Sequence, residues 1–256
     1  NADRRTRVKT YSNKTRGHLF IDGKFDHNDF WRYGFNIKRS TDDTYLSRYM
    51  FSGATDRLHS DFFIEGFDDR NYFYATGIAT QVQSSTYQSS KTPLILPSIN
   101  YNYQSAKTKF GFVDFNASFL SLTRRQGADT RKISLQPIIT YPFQDNFGNR
   151  FKIQTKATLT SYMLSHVQRT NKNDFKGIKN RIHPEFLIGW DLPLQKFQNE
   201  STFLLKPQAA LILAPNRGGD DDIPNEDSNS FEFGETHLFN SSLYPGRDKL
   251  EKSNQR

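Results

Sequence analysis

Hydrophobic positions recur in this chain at every second residue. Over 150–163, Phe151, Ile153, Ala157, Leu159 and Met163 fall on one parity, while Lys152, Gln154, Lys156, Thr158 and Thr160 fall on the other. A helix would scatter these side chains around its circumference; a strand sorts them onto two faces. The same arithmetic sets Val113, Phe115, Ala117 and Phe119 against Asp114, Asn116 and Ser118. It sets Trp31, Tyr33, Phe35 and Ile37 against Arg32, Asn36 and Lys38, and Ile182, Phe186, Ile188 and Trp190 against Arg181, His183 and Glu185. The pattern predicts about ten strands, at 16–25, 29–39, 57–67, 71–83, 94–104, 111–123, 130–142, 150–164, 180–195 and 200–214. Turn-forming clusters such as Asp68-Asp69-Arg70-Asn71 and Asp145-Asn146-Phe147-Gly148-Asn149 separate them. Longer polar loops are expected at 40–56, 84–92 and 168–178. The stretch 216–229, with Gly218-Gly219-Asp220-Asp221-Asp222, is the most loop-like. No amphipathic helix longer than two turns and no repeat of fixed period is legible.

Consecutive strands joined mostly by short turns make an all-β, antiparallel, up-and-down meander. Several of the strands reach or exceed the ~9–11 residues that cross a bilayer at a tilt. A soluble sandwich shows the same alternation, with the apolar face as a dry core. In a membrane barrel that face meets lipid, and the polar face lines a wet lumen. Composition bears on the choice. Hydrophobic residues are only 35% of the 256, yet aromatics reach 14%, with 23 Phe, 12 Tyr and 2 Trp. Low average hydropathy with strong alternation favours part of a large transmembrane β-barrel. No apolar run approaches the ~18 residues of a membrane helix. The longest candidates are Pro93–Pro97 and Ala209–Ala214.

The net charge is +8, and residues 1–39 hold ten Lys or Arg against four Asp. A nucleic-acid reading needs a recognition motif, and none is present. Basic residues on the polar parity of long strands fit a lumen that attracts anionic cargo, with solvated surface as the alternative. The candidates for that path are Arg32, Lys38, Lys152, Lys156, Arg181 and Lys206. Cysteine is absent, which excludes disulfides, thiolate metal sites and a cysteine nucleophile. No P-loop, GxGxxG, HExxH or GxSxG motif occurs. The six His are scattered, and His183 reads as a lumen or surface group. No catalytic residue, metal or cofactor is therefore expected. The acidic cluster of Asp220, Asp221, Asp222, Glu226 and Asp227 reads as a solvated loop. A calcium contact is the alternative, although the spacing is not that of an EF-hand.

Further motifs run in order along the chain. They are Arg16-Gly17-His18-Leu19, Ser40-Thr41-Asp42-Asp43-Thr44-Tyr45-Leu46, Asn180-Arg181-Ile182-His183-Pro184, Leu205-Lys206-Pro207 and Leu213-Ala214-Pro215. After them come Pro224-Asn225-Glu226-Asp227-Ser228, Phe231-Glu232-Phe233, Leu238-Phe239 and Gly246-Arg247-Asp248-Lys249-Leu250-Glu251. This ordered set resembles the LPS-assembly outer-membrane protein family LptD, also called organic solvent tolerance protein, and is most similar to its alphaproteobacterial members. The resemblance makes Asn225, Glu226, Asp227, Ser228, Gly246 and Asp248 signature positions, in a stretch expected to fold inward or sit at the barrel rim. It implies a barrel of the bacterial cell outer membrane that takes lipopolysaccharide from a periplasmic LptA-like bridge. The lipid passes through the lumen and a lateral seam into the outer leaflet, and an LptE-like lipoprotein plugs the barrel. No covalent chemistry is implied.

The family's seam is linked to prolines in the first barrel strands, whereas the first proline here is Pro93. The chain is therefore expected to start downstream of the seam, without the periplasmic domain, and to stop before the remaining strands. Lys249 stands where Arg is usual. The expected organisation is a lead-in at 1–15, barrel strands over 16–215, and an acidic loop with the signature over 216–256. Other readings that the residues allow are a different porin-like barrel and a soluble β-sandwich module that binds an anionic glycan.

Overall fold

The computed structural model describes residues 15–51, 55–83, 89–169, 173–198, 201–215, 220–228 and 246–249. Most of the expected lead-in, and Phe231, Phe233, Leu238, Phe239, Leu250 and Glu251 of the signature, lie outside the described residues.

Twelve strands follow one another among the described residues. They are β1 (His18–Asp26), β2 (Trp31–Ser40), β3 (Arg57–Asp68), β4 (Asn71–Val82), β5 (Leu94–Gln104) and β6 (Phe112–Thr123). Then come β7 (Asp129–Gln144), β8 (Arg150–Val167), β9 (Phe175–Asp191), β10 (Leu194–Gln198), β11 (Ser201–Leu205) and β12 (Gln208–Leu213). The one α-helix among the described residues is a single turn, α1 (Tyr45–Arg48). Ten strands form one antiparallel sheet in the order β1 to β9 and then β12, with β10 and β11 as a separate pair. Each of the ten neighbours its sequence neighbour in that sheet, as a meander requires. β7, β8 and β9 run to 16, 18 and 17 residues.

Two boundaries differ from the sequence expectation. β9 begins at Phe175 rather than 180, because Phe175, Gly177 and Ile178 pair with Val167, Leu164 and Met163 at the end of β8, although Phe175 and Ile178 fall on opposite parities. The expected strands 180–195 and 200–214 are each broken. Asp191 pairs with Gln208 and Leu194 with Leu205, so the ribbon keeps a single register through the break. Pro193 and Pro207 sit at the interruption, and neither can donate a ladder hydrogen bond. Leu192 N–H donates across it to the Pro207 carbonyl at 3.1 Å.

The register fixes which side chains share a face. Paired partners lead in one unbroken row across the sheet: Asp26, Arg32, Glu65, Tyr74, Asn100, Ser118, Ser134, Thr160, Arg181. The opposite face carries Tyr33, Ile64, Ile99, Phe119 and Ile133 in the neighbouring row. Burial then departs from soluble packing. On the apolar face Tyr33, Ile64, Ile133, Leu159, Ile182 and Ile188 are exposed, while on the polar face Lys132, Ser134, Thr160, Tyr162 and His183 are buried. Exposing such a face to water would forgo roughly 25 cal/mol for every Å² that lipid could cover. The core that does exist is small: Tyr162, Leu164 and Val167, with Ala128, Phe175 and Ile223 against them.

Aromatic rings gather on the apolar face where the turns are short, near 27–30, 69–70 and 145–149. Phe25 lies 5.3 Å from Tyr33, Trp31 lies 5.8 Å from Phe73, and Phe143 stacks on Phe151 at 4.7 Å. Trp190 donates its indole N–H to Asn149 Oδ1 at 3.0 Å. Rings with an apolar body and a wet tip, banded at one end of a sheet, form the girdle of a membrane interface.

Candidate functional site

Two stretches far apart in sequence, 220–228 and 246–249, lie together on the polar face of β6–β9, at the end away from the aromatic band. Their contacts begin with a self-made knot. Asn225 closes on Ser228 in both directions, its amide accepting from Ser228 N–H at 2.9 Å and donating to the Ser228 carbonyl at 2.8 Å. Asp227 Oδ1 accepts from the Ser228 hydroxyl at 2.8 Å and from the N–H groups of Arg247 and Asp248, each at 3.0 Å. Ser228 Oγ accepts from Asp248 N–H at 3.0 Å and Lys249 N–H at 3.1 Å. Gly246 is required here. A Cβ at that position would stand 2.3 Å from both the carbonyl oxygen and Oδ1 of Asp227.

The sheet grips the knot with cations. Lys132 of β7, its side chain only 6% exposed, donates to Asp227 at 2.5 Å and to Asp248 at 2.9 Å, and the Asp248 side chain is 1% exposed. Tyr162 of β8 donates to Asp248 at 3.0 Å. Arg181 of β9 donates to the Tyr162 hydroxyl at 2.8 Å, to the Asp248 carbonyl at 3.1 Å, and to the Arg247 carbonyl. Arg247 reaches back to Ser118 of β6 at 3.0 Å. Arg124 holds Glu226 through two bonds of 2.8 and 2.6 Å, the bidentate geometry in which guanidinium and carboxylate match best. Arg169 holds Asp222 likewise through two bonds of 2.6 Å, and Lys179 adds a third at 2.8 Å. Ile223 inserts among Tyr162, Leu164 and Val167.

These partners set the ionisation of the segment. Arg169 and then Lys179 hold the Asp222 carboxyl well below the usual carboxylate range. Burial opposes the charge on Asp227, but Lys132, Ser228 and the Arg247 N–H overcome it and hold that carboxyl low. Asp248 shares the same ammonium from a deeper position, and burial pushes it up. One lysine thus serves two carboxylates.

All six signature residues therefore meet in one place. The acidic cluster is only in part the solvated loop expected: Asp220 and Asp221 are exposed. Asp222, Glu226 and Asp227 are bound by Arg169, Arg124 and Lys132. No group of three or more His, Asp or Glu suited to a metal ion occurs among the described residues.

The six basic candidates are not brought together. Arg32, Lys38, Lys152, Lys156 and Arg181 share the polar face but are spread from β2 to β9. Lys206 lies in the bend before β12 and pairs with Asp191 at 3.2 Å. Most are already engaged by this chain: Arg32 by Asp26 at 2.6 Å and Glu65 at 3.2 Å, Lys156 by Glu185 at 2.8 Å, and Arg181 by the knot. Lys38 and Lys152 form no ion pair among the described residues. Sequence reasoning missed Lys132, Tyr162, Arg124 and Arg169. Lys132 and Tyr162 lie on the polar parity of their strands, but only the register shows them opposite each other.

A meander that exposes its apolar face, bands it with aromatic rings and buries charge on the other face is the wall of a transmembrane β-barrel. Within that class, residues 14–256 match the family described as LptD, LPS transport system D, and the chain belongs to it. It is similar to the LPS-assembly protein LptD of Escherichia coli strain K12, 24% identical over 241 residues. The protein of the same name from Escherichia coli O1:K1 is 25% identical over 241 residues, and that from Shigella flexneri serotype 5b is 24% identical. In each case 88% of this chain is covered and 30% of the relative, so the chain spans about a third of their length.

Proposed function

We propose that this chain forms part of the outer-membrane barrel that delivers lipopolysaccharide to the outer leaflet. It supplies ten strands of wall and one water-facing surface. The observation that carries the reading is the register: a single polar row runs from β1 to β9, with an exposed apolar face behind it. Transport through such a wall involves no covalent step, so its residues act by position and charge. The turns at 27–30, 69–70 and 145–149 face the periplasm, and the other end of the sheet, with the longest connections between described strands and the short turn at 124–128, faces outward.

In this reading the clamped segment narrows the lumen from the outer side. Lys38 and Lys152 are the cations left to meet phosphate groups, while Arg32, Lys156, Arg181 and Lys206 act through pairs they already make. A lipoprotein plug of the LptE kind fills the lumen, and a periplasmic bridge of the LptA kind hands over the lipid. What supports these partners is the family and the hydrophilic inner face. The soluble sandwich is disfavoured, because among the described residues no second layer covers the apolar face.

The test is depletion of the full-length protein in living cells, scored by antibody binding to surface lipopolysaccharide on intact cells. The expected result is loss of surface signal with accumulation of the lipid inside. Unchanged surface lipopolysaccharide would overturn the proposal.

A further inference from the structure

The middle of the polar face differs chemically from its flanks. On β4, Tyr72 and Tyr74 stand two residues apart with ring planes within 12° and centroids 6.4 Å apart. Phe63 of β3 lies 6.2 Å from Tyr74 at 24°. Gly34 makes room for that ring, since a Cβ there would stand 2.6 Å from it. Beside the rings runs a line of amides. Asn102 donates to Asn116 at 2.7 Å, Asn116 to Gln136 at 3.2 Å, and Gln136 to the Thr158 hydroxyl at 2.9 Å. Asn100 stands exposed opposite Tyr74. Formal charge is sparse here: Glu65, opposite Tyr74, accepts from Tyr72 at 3.4 Å and pairs with Arg32, Asp114 lies beyond Asn116 on the same face of β6, and Lys156 pairs with Glu185 on the far flank.

Near-parallel rings on the wet side of a membrane wall are out of place as lipid anchors, because they lie on the wrong parity. Amides here contribute cross-strand pairs to the sheet. Each amide has two donors and an acceptor with two lone pairs, so the ladder uses only part of that capacity. A sugar ring offers the complementary surface: a C–H face that packs on an aromatic ring, and an edge of hydroxyls that both donate and accept. A phosphate would instead require a group of cations, whereas the Arg247 guanidinium that reaches this row donates to Ser118. Many weak contacts in a row also suit a ligand that must keep moving.

We infer that Phe63, Tyr72 and Tyr74, with Asn100, Asn102, Asn116 and Gln136, form a track that binds the uncharged saccharide portion of the transported glycolipid. The inference rests on the transport reading above, and it assigns the sugar and the phosphates of the cargo to different parts of one face.

The experiment places a photo-crosslinking amino acid at Asn100 of the full-length protein in cells and measures its adduct with lipopolysaccharide. The expected adduct disappears in cells whose lipopolysaccharide is cut back to the lipid and innermost sugars. Y72A with Y74A lowers its yield about fivefold per ring, equivalent to ~1 kcal/mol each. Y72F with Y74F keeps it, which separates loss of stacking from loss of fold. An adduct that ignores sugar length, or one formed with a protein instead, would overturn the track and leave the transport reading standing. No lipopolysaccharide adduct at Asn100, Lys38 or Lys152 would overturn both.

Discussion

Lys132 is the residue on which the clamped segment turns. It is buried on β7 and bonded to Asp227 and Asp248, and Asp248 also accepts from Tyr162 and from the Glu226 N–H, so removing Asp248 leaves these donors short of an acceptor. D248A is expected to destabilise the segment by about 3 kcal/mol. Hydrogen exchange at the amides of Glu226 and Ser228 would then rise by roughly two orders of magnitude, while β8 amides stay protected. G246A should do the same by steric means, because its Cβ meets Asp227; unchanged exchange would show that the knot can shift to admit it. The Asp222 contact has a pH signature. Its folded-state pKa lies below the unfolded value of ~3.9, so its stabilisation is complete above that value. It is lost as pH falls below it toward the folded-state pKa. Exchange at Asp222 and Ile223 should therefore be flat from pH 7 to 5, after correction for intrinsic rates, and rise below 4. Little of this was legible beforehand. The sequence motif named Asn225, Glu226, Asp227, Ser228, Gly246 and Asp248, but their grips come from Arg124, Lys132, Tyr162, Arg169 and Arg181. Glu226 and Arg124 lie 102 positions apart, a distance that no local pattern spans.

At the level of strands, period-two alternation located nearly everything, because a strand with one face in a single environment repeats its chemistry at every second residue. β5 runs over Leu94–Gln104, and β8 extends only three residues past the expected 164. What escaped were places where backbone rather than side chain decides. Pro193 and Pro207 split one ribbon, and Gly177 let β9 start early by keeping the ladder without a strong apolar signal. The two faces should respond oppositely to charge. Ile133→Lys on the exposed apolar face is expected to cost about 2–4 kcal/mol in folding from urea into lipid vesicles. Asn100→Lys, exposed on the polar row, should cost less than about 1 kcal/mol. Equal costs would mean that the two faces see the same medium.

For the whole molecule, the account reduces to one statement: the apolar parity faces lipid and the polar parity faces water. The low apolar fraction follows from it, as the average over two unlike faces. Spin labels placed one at a time from Phe151 to Met163 in the full-length protein, reconstituted in bilayers, test this directly. Collision with oxygen, which concentrates in lipid, should peak at 151, 153, 157, 159 and 163. Collision with a water-soluble nickel chelate should peak at 152, 154, 156 and 158. Two curves of period two in opposite phase are the predicted result; curves in phase, or a nickel maximum on the apolar parity, would contradict the account.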